Sequence, residues 1–391
     1  MNLNEIIEID KECYMNTFGD RTPVCFERGE GVYLYSTDGK KYTDFMGGIA
    51  VNALGHCHPI LKKALHEQID KLLHTSSLYY VENQALLAKK LVEVSCADKV
   101  FFANSGAEAN EGAIKLARMN FYKKGEEHKN EIITLVNSFH GRTLATVAAT
   151  GQEKYQQPYK PLTPKFIHVP INNATALENA ITPNTCAILL EVIQGESGVY
   201  PLTKEYLQFA RKLCDDNGII LIYDEVQTGI GRTGTLFGYE HHGIEPDIFT
   251  LAKALGGGVP IGAVCAKQSV CAFEPGNHGT TFGGNPLACK AGLAVFEAIE
   301  SENLVQNSKI MGEYFINKLK SLNSDKIIEI RGRGLMIGIE FTINAPDIHK
   351  KLFESGFLCG VIGTSILRVL PPLIVTESDI DEFVKVLGGL L

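Results

Sequence analysis

Between residues 99 and 251 the chain alternates short apolar, largely β-branched runs with segments of helical period, and few architectures accommodate that alternation. Strands are expected at Lys99–Ala103, Glu131–Val136, Cys186–Val192, Ile219–Tyr223 and Asp247–Leu251. Ala107–Asn120 reads as a helix with small or apolar residues at Ala109, Ala113, Ile114 and Ala117 on one face. Glu205–Asn217 reads as another, with Leu207, Ala210, Leu213 and Cys214 aligned and Gly218 as its stop signal. Parallel strands need a crossover, usually helical, so strands alternating with helices imply an α/β fold with a mostly parallel sheet covered on both faces.

The ends of the chain differ from its middle. VYLYSTDGKKYTDF, within Gly31–Phe45, predicts a small hairpin turning at Asp38-Gly39. Past Asn285 come a helix running through Ile299, a second at Ile310–Leu322, the strand-like MIGIEF and a terminal helix. Three parts are therefore expected. Residues 1–50 form the N-terminal segment of a smaller α+β domain, 51–284 a large domain, and 285–391 the C-terminal part of the smaller one.

A net charge of −8 without a long basic run argues against nucleic acid or an anionic membrane surface as the main partner. No apolar stretch approaches the ~20 residues of a spanning helix. MNLNEIIEIDKECYM lacks the basic and apolar regions of a signal peptide. The ten cysteines include no CxxC pair, and Cys186, Cys265 and Cys289 sit among apolar or small residues. Free thiols in a cytoplasmic protein are the expectation.

Chemistry-bearing residues stand at the strand ends. The run IILIYDEVQ delivers Asp224 where open α/β sheets place their ligands, although a lone Asp there also suits a helix cap or a solvated carboxylate. DIFTLA ends in Lys253, followed by the glycines of ALGGGVPIGA. Burial and neighbouring charge can lower a lysine's pKa from its usual ~10.4, which suits it to Schiff-base chemistry, and Gly256–Gly258 would let backbone approach a bulky ligand. Alone, Lys253 reads as a surface amine beside a flexible turn. In FFANSGAEANEGAIKLAR a strand runs through Asn104-Ser105-Gly106 into a helix. Ser105 and Glu108 fit a capping box, and the same junction presents free N–H groups suited to a phosphate. Both readings stand on these residues alone.

Two patterns invite other chemistry. Gly229-Ile-Gly231-Arg-Thr-Gly234 matches G-x-G-x-x-G, but residues including Asp224, Glu225 and Gln227 separate it from its strand and no helical period follows, so no nicotinamide site is expected. GHCHP, with His56, Cys57 and His58, lacks a second ligand pair for zinc and reads as a tight turn before a helix at Leu61–Leu73.

Taken together, TLAKALGGG, YDEVQTGIGRTG, SGAEAN and HGTTFGGNP resemble the class III aminotransferases in order and spacing, over essentially the whole chain. DFMGGIAVNALGHCHP and LLHTSSLYY are most similar to the acetylornithine branch of that family. The resemblance implies a fold type I pyridoxal-phosphate-dependent transferase, with a large domain on a mostly parallel central sheet and a smaller α+β domain from both termini. It implies pyridoxal 5'-phosphate as cofactor, held by Lys253 as a Schiff base. Lys253 would also shuttle a proton, and Asp224 would keep the pyridine nitrogen protonated. Gln227 would contact the cofactor's 3-oxygen, and Ser105, Gly106 and Ala107 would bind its phosphate. Phe139, in NSFHGRTLAT, would lie over the ring, though a core phenylalanine is the usual fate of that residue. Arg142 would grip a substrate carboxylate in a bidentate fork.

Thr281 resembles a threonine that reaches the phosphate from a neighbouring subunit, with Thr280 beside the substrate, which implies a homodimer with shared active sites. Glu196 and Arg368 resemble a switchable ion pair. Closed, it would hide Arg368 from an ω-amine donor; open, it would free Arg368 for the α-carboxylate of glutamate. An ordinary ion pair joining two domains fits the same residues. Gly112 stands where the family commonly has alanine, and a helical glycine costs up to ~1 kcal/mol, so that departure bears on stability.

The activity implied is transfer of the δ-amino group of N2-acetyl-L-ornithine to 2-oxoglutarate, as in arginine biosynthesis. Ornithine, succinylornithine, succinyldiaminopimelate and 4-aminobutyrate are alternative donors, and Ile49 lies where ornithine enzymes carry a tyrosine. A pyridoxal-phosphate aminomutase and a non-catalytic binding protein are the readings from other classes.

Overall fold

TCAILL, at 185–190, is buried at every position, the state of a strand covered on both faces. In the computed structural model, which describes residues 1–391, it lies inside a sheet built from strands spread along most of the chain. In chain order the strands are β1 (Phe26–Glu30), β2 (Tyr33–Ser36), β3 (Lys41–Asp44), β4 (Lys99–Ala103), β5 (Glu131–Leu135), β6 (Phe166–Val169) and β7 (Thr185–Leu190). There follow β8 (Ile193–Gln194), β9 (Tyr200–Pro201), β10 (Ile220–Asp224), β11 (Ile248–Leu251) and β12 (Gly262–Ala266). The last are β13 (Ile327–Arg333), β14 (Met336–Phe341), β15 (Phe357–Leu358), β16 (Gly360–Ile362) and β17 (Ile366–Val369).

The central sheet has seven strands in the order β4-β12-β11-β10-β7-β5-β6. The pairs from β11 to β6 are parallel, and β12 runs antiparallel to both β11 and β4. The fold class expected from the alternation is the one found. Strands β6 and β12 were not anticipated, since FIHV is only four residues with a histidine inside it and GAVCA follows directly on a glycine cluster. Two smaller sheets flank this one. The order β1-β2-β3-β15 pairs both ends of the chain, and the order β13-β14-β17-β16 is built from C-terminal residues alone. One contiguous buried core runs through all three, from Val32 and Phe45 to Phe383.

Helices Gly106–Lys123 and Lys204–Asn217 occupy their expected places, and Gly218 closes the second at φ +60. Pro59–Ile69 starts on its proline and stops short of Leu73, while Leu304–Ser321 begins six residues before the expected Ile310. Helices Leu3–Cys13 and Glu82–Glu93 were not anticipated. Gly112 has a packing reason for its place, since a Cβ there would meet Val264 Cγ2 at 2.8 Å. No helix is long and apolar enough to cross a membrane.

Candidate active site

Strands β10 and β11 are parallel neighbours with Asp224 opposite Thr250. Their carboxyl ends therefore deliver Asp224 and Lys253 to one place, a cavity of about 420 Å³ that both line. Lys253 follows Ala252 with φ +44, a left-handed conformation that costs a non-glycine residue roughly 1–2 kcal/mol. Burial pulls its pKa below the ordinary amine value, helped by the Arg368 guanidinium and opposed by Glu196, Asp224 and Glu191.

Asp224 is almost fully buried, and its side-chain donors Asn110 and His140 are buried with it. Its Oδ2 accepts from Asn110 Nδ2 at 2.7 Å and pairs with His140 Nδ1 at 2.8 Å, and its Oδ1 accepts from Val226 N–H at 3.0 Å. Thr250 Oγ1 in turn donates to Asn110 Oδ1 at 2.8 Å, which fixes the amide that faces the carboxylate. His140 Nε2 has no partner. Glu191 also lines the cavity, where burial raises its carboxyl pKa. Its Oε2 accepts from Phe139 N–H at 2.9 Å, tying that loop to the end of β7.

At the far side of the cavity the helix Gly106–Lys123 begins. Ser105 Oγ accepts from Glu108 N–H at 3.2 Å, so Ser105 caps the helix, but the box is not closed, because Glu108 Oε2 accepts from Asn104 N–H at 2.8 Å instead of from Ser105. The first-turn N–H groups of Gly106 and Ala107 have no intrahelical acceptor and line the cavity, so the anion-binding reading is compatible with it. At Gly106 a Cβ would lie 2.8 Å from Val226 Cγ1, another lining residue. Phe139 and Arg142 also line the cavity, on a loop packed against this helix, where a Cβ at Gly141 would lie 2.8 Å from Ala107 Cβ. Arg142 is exposed, has no carboxylate partner, and stacks 3.7 Å from the Tyr155 ring centroid.

Arg368, on β17, does not line the cavity itself. Its Nη1 donates to Glu196 Oε1 at 2.6 Å, to Gly195 O at 2.9 Å and to Gln227 Oε1 at 3.3 Å. Gln227 Nε2 donates to the same Glu196 oxygen at 3.2 Å, so Gln227 joins the ion pair to the cavity. Burial works against the Glu196 carboxylate, but Arg368 outweighs it and the Glu196 pKa is lowered.

Thr280 and Thr281 stand apart from this cavity. Thr280 Oγ1 accepts from Asn104 Nδ2 at 3.3 Å, and Thr281 is exposed beside an exposed Phe282. Ile49 is exposed within Gly47–Ala50, a turn whose residues all have positive φ. His56 pairs with Asp44 at 2.8 Å and His58 with Glu302 at 3.1 Å, and no group of residues suited to a metal ion occurs in the chain.

Sequence reasoning overlooked Asn110, His140, Glu191 and Thr250. The legible signal was an acid closing the apolar run CAILLE and a threonine inside IFTL, polar groups that burial obliges to find partners.

The donor set is specific in kind. An anion-accepting helix start, a buried carboxylate, an aromatic wall and an amine of lowered pKa surround one space. They suit a flat, phosphorylated nitrogen heterocycle bearing a carbonyl, with the Arg142 guanidinium left over for a carboxylate and Arg368 paired with Glu196 beside them.

A family model described as "Aminotransferase class-III" matches residues 14–391. A Methanocaldococcus jannaschii protein named acetylornithine aminotransferase is 51% identical over 392 residues, covering 99% of this chain and 98% of that one. The crystal structure of acetylornithine aminotransferase from Elizabethkingia anophelis superposes with a TM-score of 0.89 at 35% identity, over 100% of this chain and 98% of that one. An ornithine aminotransferase from Toxoplasma gondii, described with partial occupancy of PLP at its active site, gives 0.94 at 32% identity, over 99% and 93%.

Proposed function

The chain belongs to the class-III aminotransferase family, and we propose that it transfers the δ-amino group of N2-acetyl-L-ornithine to 2-oxoglutarate. The products are N-acetyl-L-glutamate 5-semialdehyde and L-glutamate, a step of arginine biosynthesis. Enzymes of this class are pyridoxal-phosphate-dependent, and so is this one. The observation that carries the reading is the meeting of Lys253, Asp224 and a carboxylate-free Arg142 in one cavity, with Arg368 held behind Glu196.

When bound, pyridoxal 5'-phosphate supplies an aldehyde that captures amines and a ring that takes up the electrons released at the substrate carbon. Gly106 and Ala107 would hold its phosphate through backbone N–H groups, with Ser105 fixing the helix start. Phe139 would cover one ring face, and Gln227 would reach the 3-oxygen. Asp224, itself fixed by Asn110 and His140, would keep a proton on the ring nitrogen. Lys253 Nζ would take the proton from the amine-bearing carbon of the substrate and pass it to the cofactor's C4′, a task its lowered pKa favours.

Arg142 binds the α-carboxylate of acetylornithine and the distal carboxylate of glutamate in a bidentate fork. With the δ-amine donor, Glu196 keeps Arg368 neutralised; with glutamate, Glu196 parts from Arg368, which takes the α-carboxylate. Because one site must serve both substrates in turn, the enzyme follows a ping-pong course.

A large domain of residues 51–284 and a smaller one from 1–50 and 285–391 fit the sheets. Every strand of the central sheet falls in the first range, and the two four-stranded sheets fall in the second. A homodimer with shared sites is supported by an exposed apolar patch. Leu72, Leu73, Leu78, Tyr79 and Tyr80 are exposed, and the ring of His74 packs 5.2 Å from that of Phe282, the neighbour of Thr281. Thr281 would thereby reach the partner's phosphate, with Thr280 near the substrate. A cytoplasmic location accords with ten unpaired cysteines, among them the buried Cys186, Cys214, Cys265, Cys289 and Cys359.

Overlap of fold gives the ornithine enzyme a TM-score at least as high as the acetylornithine one; identity to the Methanocaldococcus protein favours the acylated donor. Steady-state kcat/KM for acetylornithine, succinylornithine, ornithine and 4-aminobutyrate tests the choice. Acetylornithine is expected to lead. A lead by free ornithine or 4-aminobutyrate would overturn the donor assignment while leaving the chemistry in place.

A further inference from the structure

The G-x-G-x-x-G loop holds the largest wholly buried side chain, that of Arg232. Burial pushes its pKa down to about 10, so it stays charged at neutral pH, yet no carboxylate pairs with it directly. Its Nη1 donates to Leu335 O at 3.1 Å and to Pro371 O, while Nε and Nη2 have no partner. Its own carbonyl accepts from Leu335 N–H at 3.0 Å and from Ser308 Oγ at 3.1 Å. Leu335 is thus held by both its N–H and its carbonyl.

These contacts have a definite place in the fold. Leu335 immediately precedes β14 and Pro371 lies just past β17, and on the ladder of that pair Ile337 faces Val369 and Gly338 faces Arg368. One guanidinium therefore closes the open end of the strand pair that carries Arg368, about 10 Å along the strand from it. The other end of the loop is equally fixed. Glu225, buried beside Asp224, accepts from Gly238 N–H at 2.9 Å and Tyr239 N–H at 2.8 Å, which staples the base of the loop. At the tip there is no slack. A Cβ at Gly231 would meet Leu373 at 2.9 Å, and one at Gly334 would meet Thr233 backbone at 2.4 Å.

We propose that Arg232 is a positioning residue for Arg368. It fixes the β14–β17 pair against the loop leading from Asp224 and Gln227, and so sets where the second carboxylate-binding guanidinium sits. This rests on the role given to Arg368 above. Arg142 belongs to a different loop, after β5, and is not among the residues that Arg232 bonds. A loosened clasp therefore penalises the substrate that needs Arg368, glutamate or 2-oxoglutarate, and spares the one that does not.

The test uses holoenzyme carrying Arg232→Met, Arg232→Lys or Ser308→Ala, with Arg368→Ala as the benchmark. Each half-reaction is followed separately by rapid mixing, and hydrogen exchange is read across residues 335–341 and 366–371. In Arg232→Met, kcat/KM for glutamate is expected to fall about 10- to 100-fold, the cost of a displaced binding group. The acetylornithine half-reaction should change far less, and exchange at the β14–β17 end should quicken. Arg232→Lys should fall between, since an ammonium keeps the charge and part of the reach. Ser308→Ala removes only the bond to the Arg232 carbonyl and should show a smaller split of the same sign, whether or not Arg232→Met folds. Equal losses in both half-reactions, or no loss with unchanged exchange, would overturn the proposal. An Arg368→Ala enzyme without the split removes its premise, whereas a split there and none in the Arg232 and Ser308 variants sinks the clasp alone.

Discussion

Arg142 stands in the cavity wall with its guanidinium stacked on Tyr155 and no carboxylate partner, while Arg368, the other guanidinium of the site, is held through its Nη1 by Glu196, Gly195 and Gln227. A free fork and an occupied one suit two substrates with carboxylates at different distances from the amine. Arg142→Ala is expected to raise KM for every carboxylate substrate. Loss of charge-assisted hydrogen bonds of about 1.5–3 kcal/mol each corresponds to roughly tenfold or more. Cofactor affinity should hardly move, and a comparable loss of cofactor binding would place Arg142 elsewhere. Residues of this kind differ in how far a sequence exposes them. Lys253 and Asp224 are conspicuous because they close apolar strands. Asn110 and His140 are not, because only the packed sheet shows that both point at one buried carboxylate. Arg232 was visible within a motif of another chemistry, and its contacts lie some hundred residues away or more.

The loop from Gly229 to Tyr239 leads from β10, bonds Leu335 and Pro371 through Arg232, and ends in the short helix Gly238–His241. His241 is held neutral there. Burial, then the charge of nearby Arg333, lowers its pKa from 6.5 to about 4, and its Nε2 is buried without a partner. A base whose folded pKa lies below its unfolded value takes up its proton first in the unfolded chain. Its contribution to stability is therefore complete above pH 6.5 and is lost as pH falls from there towards 4. Solvent reaches part of the ring, so the loss is on the order of 1–2 kcal/mol. Thermal unfolding of His241→Gln should show a shallower fall of Tm across that window than the unsubstituted chain, and an identical fall would contradict the assignment. At this scale the central sheet was legible because parallel strands read as unbroken apolar runs bounded by caps and glycines. Strand β12 and the helix Glu82–Glu93 were not. The former is a short small-residue run whose antiparallel place depends on β4, far upstream, and the latter buries only Leu87 and Leu91.

Both ends of the chain meet in the sheet β1-β2-β3-β15, and the strand carrying Arg368 belongs to a different sheet from the strands that deliver Asp224 and Lys253. The site therefore depends on how distant parts are held together, and the homodimer proposed here adds the partner's Thr281 to it. Mixing Thr281→Ala with Lys253→Ala subunits then leaves one intact site per heterodimer, or about a quarter of full activity on random pairing. No recovery would count against shared sites. The most direct measurement on the whole enzyme omits the acceptor. Holoenzyme is mixed with excess acetylornithine and no 2-oxoglutarate, and the semialdehyde formed is counted against active sites. One equivalent per site is expected, followed by arrest, with turnover resuming and glutamate appearing when 2-oxoglutarate is added. Continuous product formation without 2-oxoglutarate, or none at all, would contradict an aminotransferase.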